Sequence, residues 1–107
     1  MVWEPVLLTD WASPTTGVLA RLRHPEAVQY WDRRRLVSRS ILETTRAQAD
    51  HELNKCCQVT DPVWDLVAIY PAGVKWEASF PSPVFGGAPV VRVMGEFRRQ
   101  LAAAEKR

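Results

Sequence analysis

The chain has 107 residues, a net charge of +2 and 24% charged residues. That length suits a single domain spanning residues 1–107, and an apolar share of 47% is ordinary for a globular protein. No apolar run approaches the length of a membrane span, and the N-terminus lacks the basic and long apolar regions of a secretion signal. We therefore expect a soluble, cytoplasmic protein with no membrane partner.

The first quarter of the chain predicts a short helix and allows a strand before it. Residues 2–9 alternate poorly, so if they form a strand it is an edge strand, where the missing backbone donor of Pro5 is tolerated. Ser13 and Pro14 are the residue types of a helix N-cap and a first helical position. A short N-terminal helix is therefore expected to follow them and to end before Pro25.

Residues 25–58 predict one long amphipathic helix. Pro25 suits its first position, and no Gly or Pro follows until Pro62. Its apolar side chains fall within one arc of a helical wheel. A straight helix of this length would measure about 50 Å, whereas a compact chain of this size has a diameter of roughly 34 Å. The helix is therefore expected to bend near residues 33–40 or to pack its excess length against another molecule.

The rest of the chain predicts an antiparallel hairpin over residues 63–80 and a last helix. β-Branched and aromatic residues dominate the first half of the hairpin, and residues 74–80 alternate apolar with polar side chains. Residues 90–94 form either a third strand or the start of the last helix, and we expect that C-terminal helix to begin near Gly95. Together the elements predict an α+β fold in which the long helix packs on a small antiparallel sheet.

Cys56 and Cys57 are adjacent in the sequence. A bridge between neighbours is strained, because disulfides usually join residues whose Cα atoms lie farther apart. The sequence therefore predicts two reduced thiols.

No pattern predicts catalysis, a metal site or a cofactor. His51 and Glu52 begin like a zinc-protease motif, but Lys55 stands where the second histidine belongs. We therefore expect His51 on the solvated face of the helix. The glycines at 86–87 lack the spacing of a phosphate-binding loop.

These observations favour a non-enzymatic protein-interaction module, such as an accessory subunit, an inhibitor or an adaptor. It would act through the long helix, whose arginines suit bidentate contacts with carboxylates, and it would bind a protein partner or a second copy as a homodimer. The predicted partner-binding residues are Tyr30, Trp31, Arg34, Arg35, Arg39 and Arg46.

Two alternatives stay open. The basic stripe from Arg33 to Arg46 has the residue types that bind nucleic-acid phosphates. An aromatic pocket between the hairpin and the long helix, lined by Trp64, Tyr70 and Trp76, would instead serve a small-molecule binder or an enzyme.

Overall fold

The computed structural model describes residues 1–5, 12–21 and 24–106. Its strands are β1 (Val2–Trp3), β2 (Tyr30–Trp31), β3 (Val67–Ile69) and β4 (Phe85–Gly87). Its helices are α1 (Thr16–Leu19), α2 (Leu36–Ala47), α3 (Glu52–Cys56) and α4 (Val90–Glu105). Helices combined with two small sheets make this a mixed α+β fold, which confirms the predicted fold class.

The N-terminal strand and helix are both present, in shorter form than predicted. β1 pairs in parallel with β2, and it covers only two residues of the strand predicted over 2–9, of which residues 6–9 lie outside the described part of the chain. α1 confirms the short helix. Its N-cap is Thr15 instead of Ser13, and the Thr15 hydroxyl accepts a hydrogen bond from the Val18 N–H at 3.4 Å.

The single long helix predicted over residues 25–58 is wrong. The segment contains β2, α2 and α3 as separate elements. Arg35 precedes α2 with a left-handed φ of 54°, and Gln48 ends α2 with an extended backbone. Neither conformation continues a right-handed helix. The overhang that the predicted length implied is therefore absent.

The hairpin predicted over residues 63–80 is also wrong. β3 pairs antiparallel with β4, and residues 74–80 contain no strand. β4 lies close to both α3 and α4, since a Cβ at Gly86 would stand 2.7 Å from Leu53 Cδ2 and a Cβ at Gly87 would stand 2.9 Å from Val93. Only a strand without side chains at these positions fits closely against both α3 and α4.

The C-terminal helix is confirmed, but it begins at Val90 and not near Gly95. This start excludes a third strand over residues 90–94. Asp65 fixes the helix N-terminus, because its carbonyl oxygen and its Oδ2 accept the Val90 N–H at 3.2 and 3.1 Å. Free N–H groups at a helix start need such acceptors.

His51 is not solvated as predicted, because only 2% of it is exposed. It is the N-cap of α3, where its Nδ1 accepts the Leu53 N–H at 3.2 Å. Its Nε2 lies 3.0 Å from the Phe80 carbonyl oxygen. These two contacts assign the proton to Nε2, and they tie α3 to the segment before β4.

Cys56 and Cys57 are joined by a disulfide, so the prediction of two reduced thiols is wrong. α3 ends at Cys56, and Cys57 is extended. The two sulfur atoms meet at this change of backbone direction, with the Cα atoms 3.7 Å apart.

The apolar core is small. Among the described residues, the buried large apolar side chains are those of Ile41, Leu53 and Ile69. α4 buries none of its residues. The interior also contains buried polar side chains, those of Ser38, Thr44, Thr45 and His51. Hydrogen bonds between distant segments therefore carry much of the organisation that apolar packing usually provides.

The chain exposes more surface than its mass predicts. Its accessible surface is 8195 Å², whereas a folded monomer of 12.2 kDa is expected to expose about 6,100 Å². The radius of gyration is 14.4 Å, against about 13 Å for a compact chain of this length. The excess surface amounts to roughly 2,000 Å².

Candidate partner-binding groove

The predicted partner-binding residues do not form one helical stripe. Tyr30 and Trp31 form β2, and Tyr30 is 62% exposed. Arg34 lies exposed in the turn before α2, and Arg46 lies exposed in its last turn. The structure therefore distributes these four residues over different elements.

Arg35 and Arg39 are brought together by an acidic residue. Arg35 Nη1 lies 3.6 Å from Asp61 Oδ1, and Arg39 Nε lies 3.8 Å from Asp61 Oδ2. The carboxylate between them neutralises part of the positive charge that the sequence suggested for this face of α2.

An open and mainly apolar groove of about 500 Å³ lies where β1, α2 and the segment before β3 meet. The described residues lining it are residues 1–4, Val37 and Ile41 of α2, residues 63–66, Phe80 and Val90. Met1, Val2 and Trp64 leave 57%, 43% and 63% of their surface exposed. The groove is therefore an open trough with apolar side chains still in contact with water.

Ser38 connects the elements around this groove. It is fully buried, and its hydroxyl donates to Glu4 Oε1 while accepting the Val63 N–H at 2.8 Å. Its own N–H lies 3.4 Å from Glu4 Oε2. One side chain of α2 therefore joins the residue after β1 to the segment that leads to β3.

Glu4 is one of the two carboxyl groups among the described residues lining the groove, and it hydrogen-bonds to Asp32. Burial raises the pKa of Glu4, and Asp32 raises it further, against the opposing hydrogen bonds from Ser38. None of the ion pairs among the described residues involves Glu4. The groove therefore contains a partly desolvated carboxyl group without a cationic partner from the described chain.

Asp32 has a structural role beside Glu4. Its Oδ2 accepts the Val37 N–H at 2.8 Å, so Asp32 supplies the cap that Arg35 does not provide. Burial pushes the pKa of Asp32 upward, but hydrogen bonds from backbone N–H groups and from Glu4 outweigh it and hold this pKa below its usual value. Asp32 thus stays ionised more readily than Glu4.

Trp64 is exposed although the backbone on both sides of it is anchored. Val63 donates to buried Ser38, and Asp65 holds the first N–H of α4. Asp65 has a left-handed φ of 52°, a conformation that aspartate tolerates better than most residues. The indole of Trp64 is therefore presented to solvent from a segment whose position is set at both ends.

The aromatic residues of the predicted small-molecule pocket are only partly gathered. Trp64 lines the groove, whereas Tyr70 and Trp76 pack edge-on against Phe80 at centroid distances of 6.3 and 5.1 Å. The Tyr70 hydroxyl donates to the Pro81 carbonyl oxygen at 2.9 Å. Burial raises the pKa of Tyr70 to about 12, so this hydroxyl stays protonated.

Comparison of the sequence with protein-family models, with curated proteins and with solved structures gave no match. None of the helices in the described part of the chain combines the length and apolar character needed to cross a bilayer. Within residues 1–5, 12–21 and 24–106, no three His, Cys, Asp or Glu side chains are placed to hold a metal ion. The groove is therefore interpreted from its own geometry.

Proposed function

We propose that this protein is a small interaction module that binds a protein partner through the groove around Trp64. The observation that carries the proposal is the imbalance between a small apolar core and roughly 2,000 Å² of excess surface. A partner that covers this surface would supply the burial that the chain alone lacks. Accessory subunit, inhibitor and adaptor are the roles that suit such a module.

The size of the excess surface supports this proposal. A stable protein–protein interface buries about 800 Å² on each partner. The excess therefore leaves room for an interface of ordinary size. Exposed apolar patches on small proteins commonly mark such interaction sites.

Trp64 supports the groove as the centre of that interface. Tryptophan is enriched among the few residues that carry most of the binding free energy. An anchored backbone reduces the ordering that binding would otherwise require. Trp64 combines 63% exposure with hydrogen bonds at both neighbouring residues.

The open shape favours a polypeptide over a small molecule. Small-molecule sites usually enclose 70–90% of the ligand surface. The groove instead has exposed apolar side chains at Met1, Val2 and Trp64. Nucleic-acid binding has less support, because Asp61 pairs with both Arg35 and Arg39 on α2.

Site-specific photo-cross-linking tests the proposed function. A photoreactive phenylalanine analogue at position 64 is expected to give a discrete cross-linked product in an extract of the source cells. The same analogue at position 77, which is exposed and outside the groove, serves as the matched control. A product at twice the mass of the chain would identify a second copy as the partner. Equal or absent cross-linking at both positions would contradict the proposal.

A further inference from the structure

We infer that the groove receives a partner segment in which a lysine or arginine stands next to apolar side chains, and that Glu4 pairs with that basic residue. This inference rests on the proposed function and names the chemistry of the partner. The apolar residues of the partner segment follow from the apolar lining of the groove. Its basic residue follows from the carboxylates that the groove contains.

Charge complementarity selects the basic residue. Among the described residues lining the groove, the charged side chains are Glu4 and Asp65, and both are carboxylates. No described Lys or Arg side chain lines it. The Met1 ammonium, which also lies at the groove, donates to the Val28 carbonyl oxygen at 2.8 Å. An acidic partner segment would meet like charges here, whereas a basic one would meet opposite charges.

Glu4 is the better placed of the two carboxylates, because it is half-buried whereas Asp65 is exposed, and ion pairs at exposed groups contribute little. Asp65 Oδ2 is already the acceptor for the start of α4. Glu4 contacts Ser38 with both oxygens and also hydrogen-bonds to Asp32, whereas a carboxylate has about four hydrogen-bonding positions in total. It therefore retains capacity for an ammonium or guanidinium group. A cation would also compensate the charge of a carboxylate that stands beside Asp32 in partly apolar surroundings.

The test uses the full chain and three dye-labelled peptides. The peptides are short amphipathic helices with identical apolar residues, and they differ at one position that carries lysine, norleucine or glutamate. Fluorescence anisotropy is expected to show that the lysine peptide binds at least about tenfold more tightly than the glutamate peptide, with norleucine between them. This comparison needs no variant, so it does not depend on the folding of a mutant.

Variants then assign the preference to Glu4. Glu4→Gln is expected to remove the preference for lysine, and Glu4→Asp, which keeps the charge, is expected to retain most of it. Glu77→Gln, which removes an exposed carboxylate outside the groove, is expected to leave the preference unchanged. Trp64→Ala is expected to weaken binding of all three peptides, because it removes apolar contact without touching the charge.

The outcomes separate this inference from the proposed function. Equal binding of the lysine and glutamate peptides, or an unchanged preference in Glu4→Gln, would overturn the inference. If no peptide binds while position 64 still cross-links to another protein, the inference is overturned and the proposed function stands.

Discussion

The Ser38 hydroxyl donates a hydrogen bond to the carboxylate of Glu4, which lies 34 residues earlier in the chain. The same oxygen accepts the Val63 N–H at 2.8 Å. One buried hydroxyl thus positions both the Glu4 carboxylate and the segment that carries Trp64.

Replacing that hydroxyl is expected to destabilise the fold. Ser38→Ala leaves the Val63 N–H and one Glu4 oxygen without their partner, which costs roughly 1–3 kcal/mol of unfolding free energy. Urea unfolding followed by tryptophan fluorescence measures this loss. Ser40→Ala on the same helix is the matched control and is expected to stay within about 0.5 kcal/mol of the wild type. Equal stability of the two variants would contradict the role assigned to Ser38.

The pH dependence of stability is expected to include a contribution from Glu4. Its pKa in the folded state is raised above the usual value of 4.5, so the folded chain holds this proton more tightly than the unfolded chain. The stabilisation from Glu4 is therefore complete below pH 4.5 and is lost as pH rises through the folded-state pKa.

Glu4→Gln removes this titration and provides the comparison. The unfolding free energy of the wild type minus that of the variant is expected to fall as pH rises from 4.5 to neutral. Asp32 contributes in the opposite direction, because its pKa is lowered and its stabilisation is lost only as pH falls below 3.8. If the difference in unfolding free energy instead rises with pH in this range, the pKa of Glu4 is not raised in the folded state.

Two glycines are expected to respond to alanine with opposite signs. At Gly87 a Cβ would lie 2.9 Å from both Val93 methyl carbons, so Gly87→Ala should cost about 1–3 kcal/mol through overpacking. At Gly95, in the middle of α4, nothing lies within 4 Å of the added Cβ. Gly95→Ala should therefore stabilise the helix by about 0.8–1 kcal/mol. Thermal unfolding by circular dichroism measures both, and a stable Gly87→Ala would contradict the close approach of β4 and α4.

Two substitutions of His51 are expected to reduce the free energy of unfolding by different amounts. His51→Ala removes the acceptor for the Leu53 N–H and the donor to the Phe80 carbonyl, which should cost roughly 1–3 kcal/mol. His51→Asn is expected to cost less, because asparagine is among the best N-caps and keeps the acceptor. Equal losses in the two variants, measured by urea unfolding, would mean that the cap contributes nothing beyond the contact with Phe80.

The sequence predicts correctly those elements that depend on residues close together in the chain. The amphipathic periodicity of residues 36–47 is real, and the C-terminal helix follows from strong helix formers near the end of the chain. The start of α4 was missed because Asp65 supplies its capping acceptors from a distant segment.

The element boundaries that were predicted wrongly depend on tertiary contacts. The length of the predicted helix indicated a bend near residues 33–40, but Arg35 is not a residue type that signals left-handed backbone, so no local pattern marked Leu36 as the start of a separate helix. Gly86 and Gly87 belong to a residue type depleted in strands, and only the packing of Leu53 and Val93 explains why they form β4. Within the alternating pattern of residues 74–80, Trp76 packs edge-on against Phe80, whereas Val74 is 45% exposed, so the pattern does not mark a strand with one buried face.

No local sequence pattern predicts the groove, because it too depends on contacts between distant segments. It is assembled from the N-terminus, α2, residues 63–66 and single residues farther along. Ser38 is buried because Glu4 and Val63 converge on it, and such convergence is a property of the folded chain alone. Among the described groove residues, Trp64 is the one that the sequence predicts in a binding site, through its aromatic character.

The absence of buried residues in α4 has a consequence for the order in which the molecule opens. Because α4 packs on β3 and β4 and buries none of its own residues, its release is expected to cost less free energy than global unfolding. Its backbone amides should therefore exchange with deuterium earlier than those of α2, and proteases should reach the C-terminal end of the chain while the rest remains folded.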